Sequence, residues 1–142
     1  MRISIGSDHA GFSMKEEVKN YLISLKYEVL DAGCYSDERA DYPDYAHIVA
    51  KEVLDQKSDF GILLCGSGNG ITMSANKHKG IRAALCWNSE IAALARQHNN
   101  ANILSLPARY ISFEEAIKCV NIFLSEKFEG GRHQGRIEKI DI

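Results

Sequence analysis

The stretch Cys65-Gly66-Ser67-Gly68-Asn69-Gly70 places a thiol, a hydroxyl and three glycines between an apolar run, Phe60 to Leu64, and a helical pattern beginning at Ile71. Backbone N–H groups at such a strand-to-helix junction have no partner inside the helix and can hold an anion. The positive end of the helix also favours a thiolate, so the spacing predicts a Cys65 pKa drawn down from about 8.5 toward neutrality. Other glycine loops do not fit. A dinucleotide fingerprint wants its third glycine one residue later than Gly70, and the Gly-Lys-Ser/Thr ending of a P-loop is absent. A cysteine phosphatase loop needs an arginine where Ile71 stands. What remains is a loop suited to a small negative charge developing beside Cys65; the alternative is a buried strand-end cysteine before a turn.

Four further groups have side chains suited to a sugar or a phosphate. Asp8 and His9 follow the first apolar run and could hydrogen-bond hydroxyls or a phosphate, although Asp8 would equally cap a helix. His98, in Arg96-Gln97-His98-Asn99-Asn100, ends a helical pattern; it favours the helix dipole there and can also serve as a proton-transfer group near neutral pH. Arg109, Arg132 and Arg136 offer planar forks for a phosphate, or simply a solvated basic surface. Arg132 and Arg136 follow the pair Gly130-Gly131 and, if that segment is helical, share one face. His47 and His78 read as surface residues of helices.

The elements that must position these groups alternate along the chain. Strands are expected at Arg2–Ile5, Tyr27–Leu30, Phe60–Cys65, Ile81–Cys86 and Asn102–Leu106. Between them lie helical stripes: Met14, Val18, Tyr21, Leu22 and Leu25, then Ala46, Val49, Ala50, Val53 and Leu54 after Pro43. Further helices are expected from Ile71 to about Lys77, from Ser89 to about His98, and from Ser112, whose spacing to Glu115 matches a capping box. This alternation argues for one α/β domain over 1–142: a Rossmann-like three-layer α/β/α sandwich on a five-stranded parallel sheet, with a C-terminal extension from about 127 to 142. In such folds ligands bind beyond the carboxyl ends of the strands, near the topological switch point. The turn at Asp8, the Cys65 loop and Asn88 all fall on that edge.

Composition excludes several classes. With 45% hydrophobic and 25% charged residues and a formal net charge of -2, nothing marks a nucleic-acid-binding surface, and no apolar run is long enough for a membrane span. No signal peptide precedes the first strand, so a cytoplasmic location is expected. The four cysteines, Cys34, Cys65, Cys86 and Cys119, form no C-x-x-C pair, which argues against a zinc ribbon and against a disulfide framework. Three of them read as small buried hydrophobes.

Taken together, Gly6-Ser7-Asp8-His9-Ala10-Gly11-Phe12, Asp41-Tyr42-Pro43, the Cys65–Gly70 loop, Ala75-Asn76-Lys77, Gly80-Ile81-Arg82-Ala83, Arg96-Gln97-His98-Asn99 and Glu129-Gly130-Gly131-Arg132-His133 resemble, in order along the chain, ribose-5-phosphate isomerase B. That family also includes galactose-6-phosphate isomerase subunits. The resemblance implies interconversion of ribose 5-phosphate and ribulose 5-phosphate in the non-oxidative pentose phosphate pathway, without metal or organic cofactor. It implies Cys65 as the base; a branch of the family uses a glutamate where this chain has Ile71, which cannot accept a proton. It further implies ring opening by His98, a proton-shuttling role for Ser67, and an enediolate stabilised by N–H groups along Gly66, Ser67, Gly68, Asn69 and Gly70. Asp8, His9 and Asn99 would bind the sugar, and Arg109, Arg132 and Arg136 the phosphate. A homodimer, or a tetramer formed by two such dimers, would share each site between subunits, the tail packing on the partner. Two other readings stay open: an isomerase of six-carbon sugar phosphates such as allose or galactose 6-phosphate, and a non-catalytic phosphosugar-binding module.

Overall fold

The structure, a computed structural model, describes residues 1–142. Five strands, β1 (Arg2–Ser7), β2 (Glu28–Gly33), β3 (Phe60–Cys65), β4 (Ala83–Leu85) and β5 (Ile103–Pro107), form one sheet in the order β2-β1-β3-β5-β4. Every neighbouring pair is parallel. Six helices alternate with and follow them: α1 (Phe12–Ser24), α2 (Tyr42–Leu54), α3 (Asn69–Ala75), α4 (Ser89–Asn99), α5 (Phe113–Ser125) and α6 (Arg132–Ile137). The expected α/β sandwich is the one found.

The strands read as continuous apolar runs because both faces of the sheet are covered. On one face Ile3, Ile5, Ile62, Leu64, Leu104 and Leu106 pack against Val18 and Leu22 of α1, Ala92 and Ala95 of α4, and Val120 and Phe123 of α5. On the other, Leu63 and Ile103 meet Ala46, Val49 and Ala50 of α2 and Ile71 and Ala75 of α3. The order reverses between β1 and β3, since the chain leaves β1 toward β2 and leaves β3 toward the opposite side. Asp8 and Cys65 lie at the strand ends beside that switch point.

Several boundaries differ from expectation for physical reasons. The fourth strand is only Ala83–Leu85, paired with β5 alone, and Ile81 instead packs in the core with Ile71 and Ala75 of α3. Ser112 caps α5, accepting from the Glu115 amide at 3.1 Å, but the Glu115 carboxylate does not return the bond. It accepts from the Ser89 amide at 3.0 Å, tying the start of α4 to α5. Leu25, expected in the stripe of α1, lies past its end and is exposed, whereas Lys15 is fully buried on that helix. Its ammonium reaches both Asp31 carboxylate oxygens, at 2.7 and 2.9 Å, and Glu16 at 3.0 Å. Lys19 adds a 2.8 Å contact to Asp31. Burial alone would raise the Asp31 pKa, but the hydrogen bonds from Lys15, Lys19 and the Gly33 amide outweigh it and hold the carboxyl below its usual range.

Candidate active site

Cys65 is the last residue of β3, and backbone hydrogen bonds join its surroundings across three strand ends. The Asp8 amide donates to Leu64 O at 3.2 Å, the Ala108 amide to Cys65 O at 2.9 Å, and the Arg109 amide to Gly66 O at 3.0 Å. Two glycines permit this convergence. A Cβ on Gly11 would lie 2.5 Å from the Leu64 carbonyl oxygen, so only glycine lets the β1–α1 turn approach β3 this closely. Gly68 turns the chain into α3 at φ 80, in the left-handed region. A Cβ on Gly66 would meet Arg109 Nη1 at 3.2 Å, which puts the guanidinium beside the loop.

The loop N–H groups are used differently from the expectation. Those of Ile71, Gly68 and Ser67 favour the ionised Cys65 sulfur, so donors read as a cradle for a bound anion also act on the thiol itself. The pKa shift is also opposite to the sequence reading. Cys65 is only 5% exposed, within the apolar cluster of Leu63, Ile71 and Ile103. Desolvation is the largest influence and raises its pKa; the three amides lower it less, and the Asp8 carboxylate opposes ionisation further. Cys86 and Cys119, deeper among aliphatic side chains, are pushed up to about 12 and about 11. Cys34 is buried as well. Thus all four cysteines are buried, and what sets Cys65 apart is that backbone amides are directed at it.

Asp8 is 7% exposed and accepts from the Gly11 amide at 3.0 Å through Oδ1, so it does secure the turn before α1. His9 Nδ1 lies 3.2 Å from both the amide and the carbonyl of Ala40. Ser67 Oγ accepts from the Asn69 amide at 3.3 Å, and both residues are exposed at the loop tip. Gly70 abuts Tyr42, whose ring would be 2.5 Å from an added Cβ. None of the surface cavities of the single chain is lined by Cys65.

The remaining expected residues lie at the other end of the sheet. Helix α4 begins at Asn88, whose side chain accepts from the Ile91 amide at 2.9 Å, and runs back to the amino edge over 11 residues. That length carries His98 and Asn99 roughly 16 Å from the carboxyl edge. The Arg82 guanidinium, at the amino end of β4, donates to Asn99 O at 3.1 Å, fixing that end. The tail returns to the same edge: the Glu129 amide donates to Gln97 O at 3.0 Å and the Gly80 amide to Asp141 at 3.0 Å. Arg132 and Arg136 therefore stand with His98, on α6, which is helical as anticipated, and both are exposed.

Two residues beside His98 escaped the sequence reading. His133 stacks on it with ring centroids 4.3 Å apart, and Glu129 Oε1 lies 3.6 Å from His98 Nε2 and 3.8 Å from His133 Nε2. The four-residue spacing of Glu129 and His133 was visible, but not that the end of α4 meets it. His47 and His78 are also corrected: His78 lies in a turn past α3, and the two rings form a 2.7 Å hydrogen bond, neither side chain fully exposed.

Comparison with known proteins identifies the family. The profile of the ribose/galactose isomerases matches residues 3–140. This chain belongs to that family. It is 45% identical over 139 residues to the ribose-5-phosphate isomerase B of Escherichia coli, covering 98% of this chain and 93% of the relative. A crystal structure of a Thermotoga maritima ribose 5-phosphate isomerase matches with a TM-score of 0.98 at 56% identity, covering 99% of this chain and 97% of that one. The Mycoplasma genitalium ribose-5-phosphate isomerase B with bound ribulose-5-phosphate matches with a TM-score of 0.92 at 48% identity, covering 98% and 93%. No helix of this family member is long and apolar enough to cross a membrane.

Proposed function

We propose that this chain is an aldose–ketose isomerase that interconverts D-ribose 5-phosphate and D-ribulose 5-phosphate. The observation that carries the reading is the near-complete match to ribose-5-phosphate isomerases B, one of them holding ribulose-5-phosphate, by a chain that sets a buried cysteine beside loop amides at the switch point. Cys65 is the base that the reaction needs. As thiolate it removes the proton from C2 of the open-chain aldose and returns it to C1, through an enediolate. The amides of Ser67, Gly68 and Ile71 stabilise the thiolate, and the Ser67 hydroxyl moves a proton between the two substrate oxygens. Asp8 and His9 hold sugar hydroxyls, and the exposed Asn69 borders the sugar.

The separation of Cys65 from His98 supports a site built by two subunits. A partner related by a two-fold axis, its amino edge facing this chain's carboxyl edge, brings His98, Asn99, Arg132 and Arg136 of the second copy over the Cys65 loop. His98 of the partner then opens the furanose, taking the proton of the anomeric hydroxyl and delivering it to the ring oxygen as the bond between C1 and that oxygen breaks. Arg109 from one chain and the two tail arginines from the other grip the phosphate. Trp87, 56% exposed, and Met73, 65% exposed, provide apolar surface for such a pairing. The enzyme is placed in the cytoplasm with the sugar phosphates it uses.

Turnover of ribose 5-phosphate in deuterated water tests the reading. Formation of ribulose 5-phosphate with deuterium entering at C1 is expected. Absence of turnover with ribose 5-phosphate, or faster kcat/KM with allose or galactose 6-phosphate, would overturn the substrate assignment.

A further inference from the structure

The cluster of His98, Glu129 and His133 has a geometry that sugar chemistry does not require. One donor atom from each residue lies within 4.8 Å of the others. His133 is 6% exposed, yet its Nε2 has no hydrogen-bond partner, and the Glu129 carboxylate lies 3.8 Å away, beyond bonding distance. A buried imidazole nitrogen left unpaired costs about 1–3 kcal/mol, so its aim toward the carboxylate and His98 points to a missing ligand. Zinc bonded at about 2.0–2.1 Å to each donor puts tetrahedral ligands about 3.4 Å apart. The observed 3.6 and 3.8 Å separations from Glu129 Oε1 are within a few tenths of an ångström of that spacing. The rings are stacked at 12° with both Nε2 atoms near the same carboxylate oxygen, so binding one ion requires the rings to unstack until it lies in both ring planes.

We propose that His98 Nε2, His133 Nε2 and the Glu129 carboxylate bind a divalent transition-metal ion such as Zn2+, and that this ion inhibits the enzyme by occupying His98. The donor set of two imidazoles and one carboxylate is one that zinc accepts, water filling the remaining position. Each imidazole contributes the lone pair that would otherwise accept a proton, so a metal-bound His98 cannot open the sugar ring. Nearby Arg132 and Arg136 disfavour a cation, and only the single carboxylate offsets them. The site therefore suits reversible inhibition rather than a resident cofactor. The inhibitory part rests on the proposed role of His98, whereas the binding part does not.

Co2+ alone, titrated into the metal-free protein in phosphate-free buffer without substrate, separates the two. The expected result is one ion per chain by calorimetry, with ligand-field absorption of a four-coordinate nitrogen–oxygen site. Affinity should fall at least about tenfold in Glu129→Gln, whose side chain is exposed enough to spare the fold, and binding should vanish in His133→Ala. A Cys65→Ser chain should bind as the parent does. Binding that survives both His133→Ala and Glu129→Gln, sulfur-to-cobalt charge transfer that disappears in Cys65→Ser, or no saturable binding at all would overturn the site. In the assay, Zn2+ should inhibit the parent at concentrations at least about tenfold below those that inhibit Glu129→Gln. Tight binding without inhibition would overturn the inhibitory role while leaving the site and the isomerase reading intact.

Discussion

The two ends of the parallel sheet hold their polar residues by different means. At the carboxyl edge, Asp8, Cys65 and Arg109 are joined by backbone hydrogen bonds between adjacent strand ends, and the thiol is enclosed. At the amino edge, His98, Arg132 and Arg136 stand on the last turn of α4 and on the six-residue α6, with both arginines exposed. The first edge keeps a reactive atom buried; the second keeps two cations exposed and an imidazole half-buried. In the proposed reading the first edge supplies proton abstraction and the second the phosphate grip, and a second copy of the chain brings the two together.

The largest effect expected is at the enclosed edge. Cys65→Ala should lower kcat by about 10³-fold while ribose 5-phosphate still binds, because a positioned base contributes that order of rate enhancement. Stopped turnover and calorimetry check both halves, and near-normal kcat would remove Cys65 from the mechanism. The stability of that edge is tested through its ion pairs. Asp31→Asn leaves Lys15 buried with half its partners and should cost about 3 kcal/mol in chemical denaturation. Because the folded Asp31 pKa is lowered, its contribution is present above the unfolded value of about 3.9 and is lost as pH falls below it. The parent should therefore lose stability on acidification more steeply than Asp31→Asn, and parallel profiles would contradict the ion-pair account.

The open edge should respond in a different coin. His98→Asn should reduce kcat on ribose 5-phosphate by about 10²-fold, yet much less on an aldose phosphate that cannot close to a furanose. Equal losses on both would count against ring opening. Arg136→Ala should raise KM about tenfold with little change in melting temperature, as an exposed side chain that meets only a phosphate. A fall in stability without a change in KM would return it to a structural role.

Local patterns made much of this legible. The third strand, Phe60–Cys65, and the glycine loop after it were readable because a fully buried strand is a continuous apolar run ended by turn residues. The cap of α5 was readable because Ser112 and Glu115 are neighbours in sequence. What escaped depends on packing between distant segments. The amides near Cys65 are local and suggested a depressed thiol, but the desolvation that outweighs them comes from α2, α3 and β5. The burial of Lys15 becomes understandable only when Asp31 arrives on β2. Glu129 and His133 gain meaning only when α6 docks on the end of α4.

In the proposed site Cys65 of one subunit works with His98 of another, and mixing two inactive chains tests that pairing most directly. Cys65→Ala and His98→Asn chains, unfolded together and refolded as random dimers, should regain about one quarter of the parental activity, since half of the dimers then hold one intact site. Activity no greater than the sum of the two separate variants, with mixed dimers demonstrably formed, would place both residues' work within one chain and contradict the shared site.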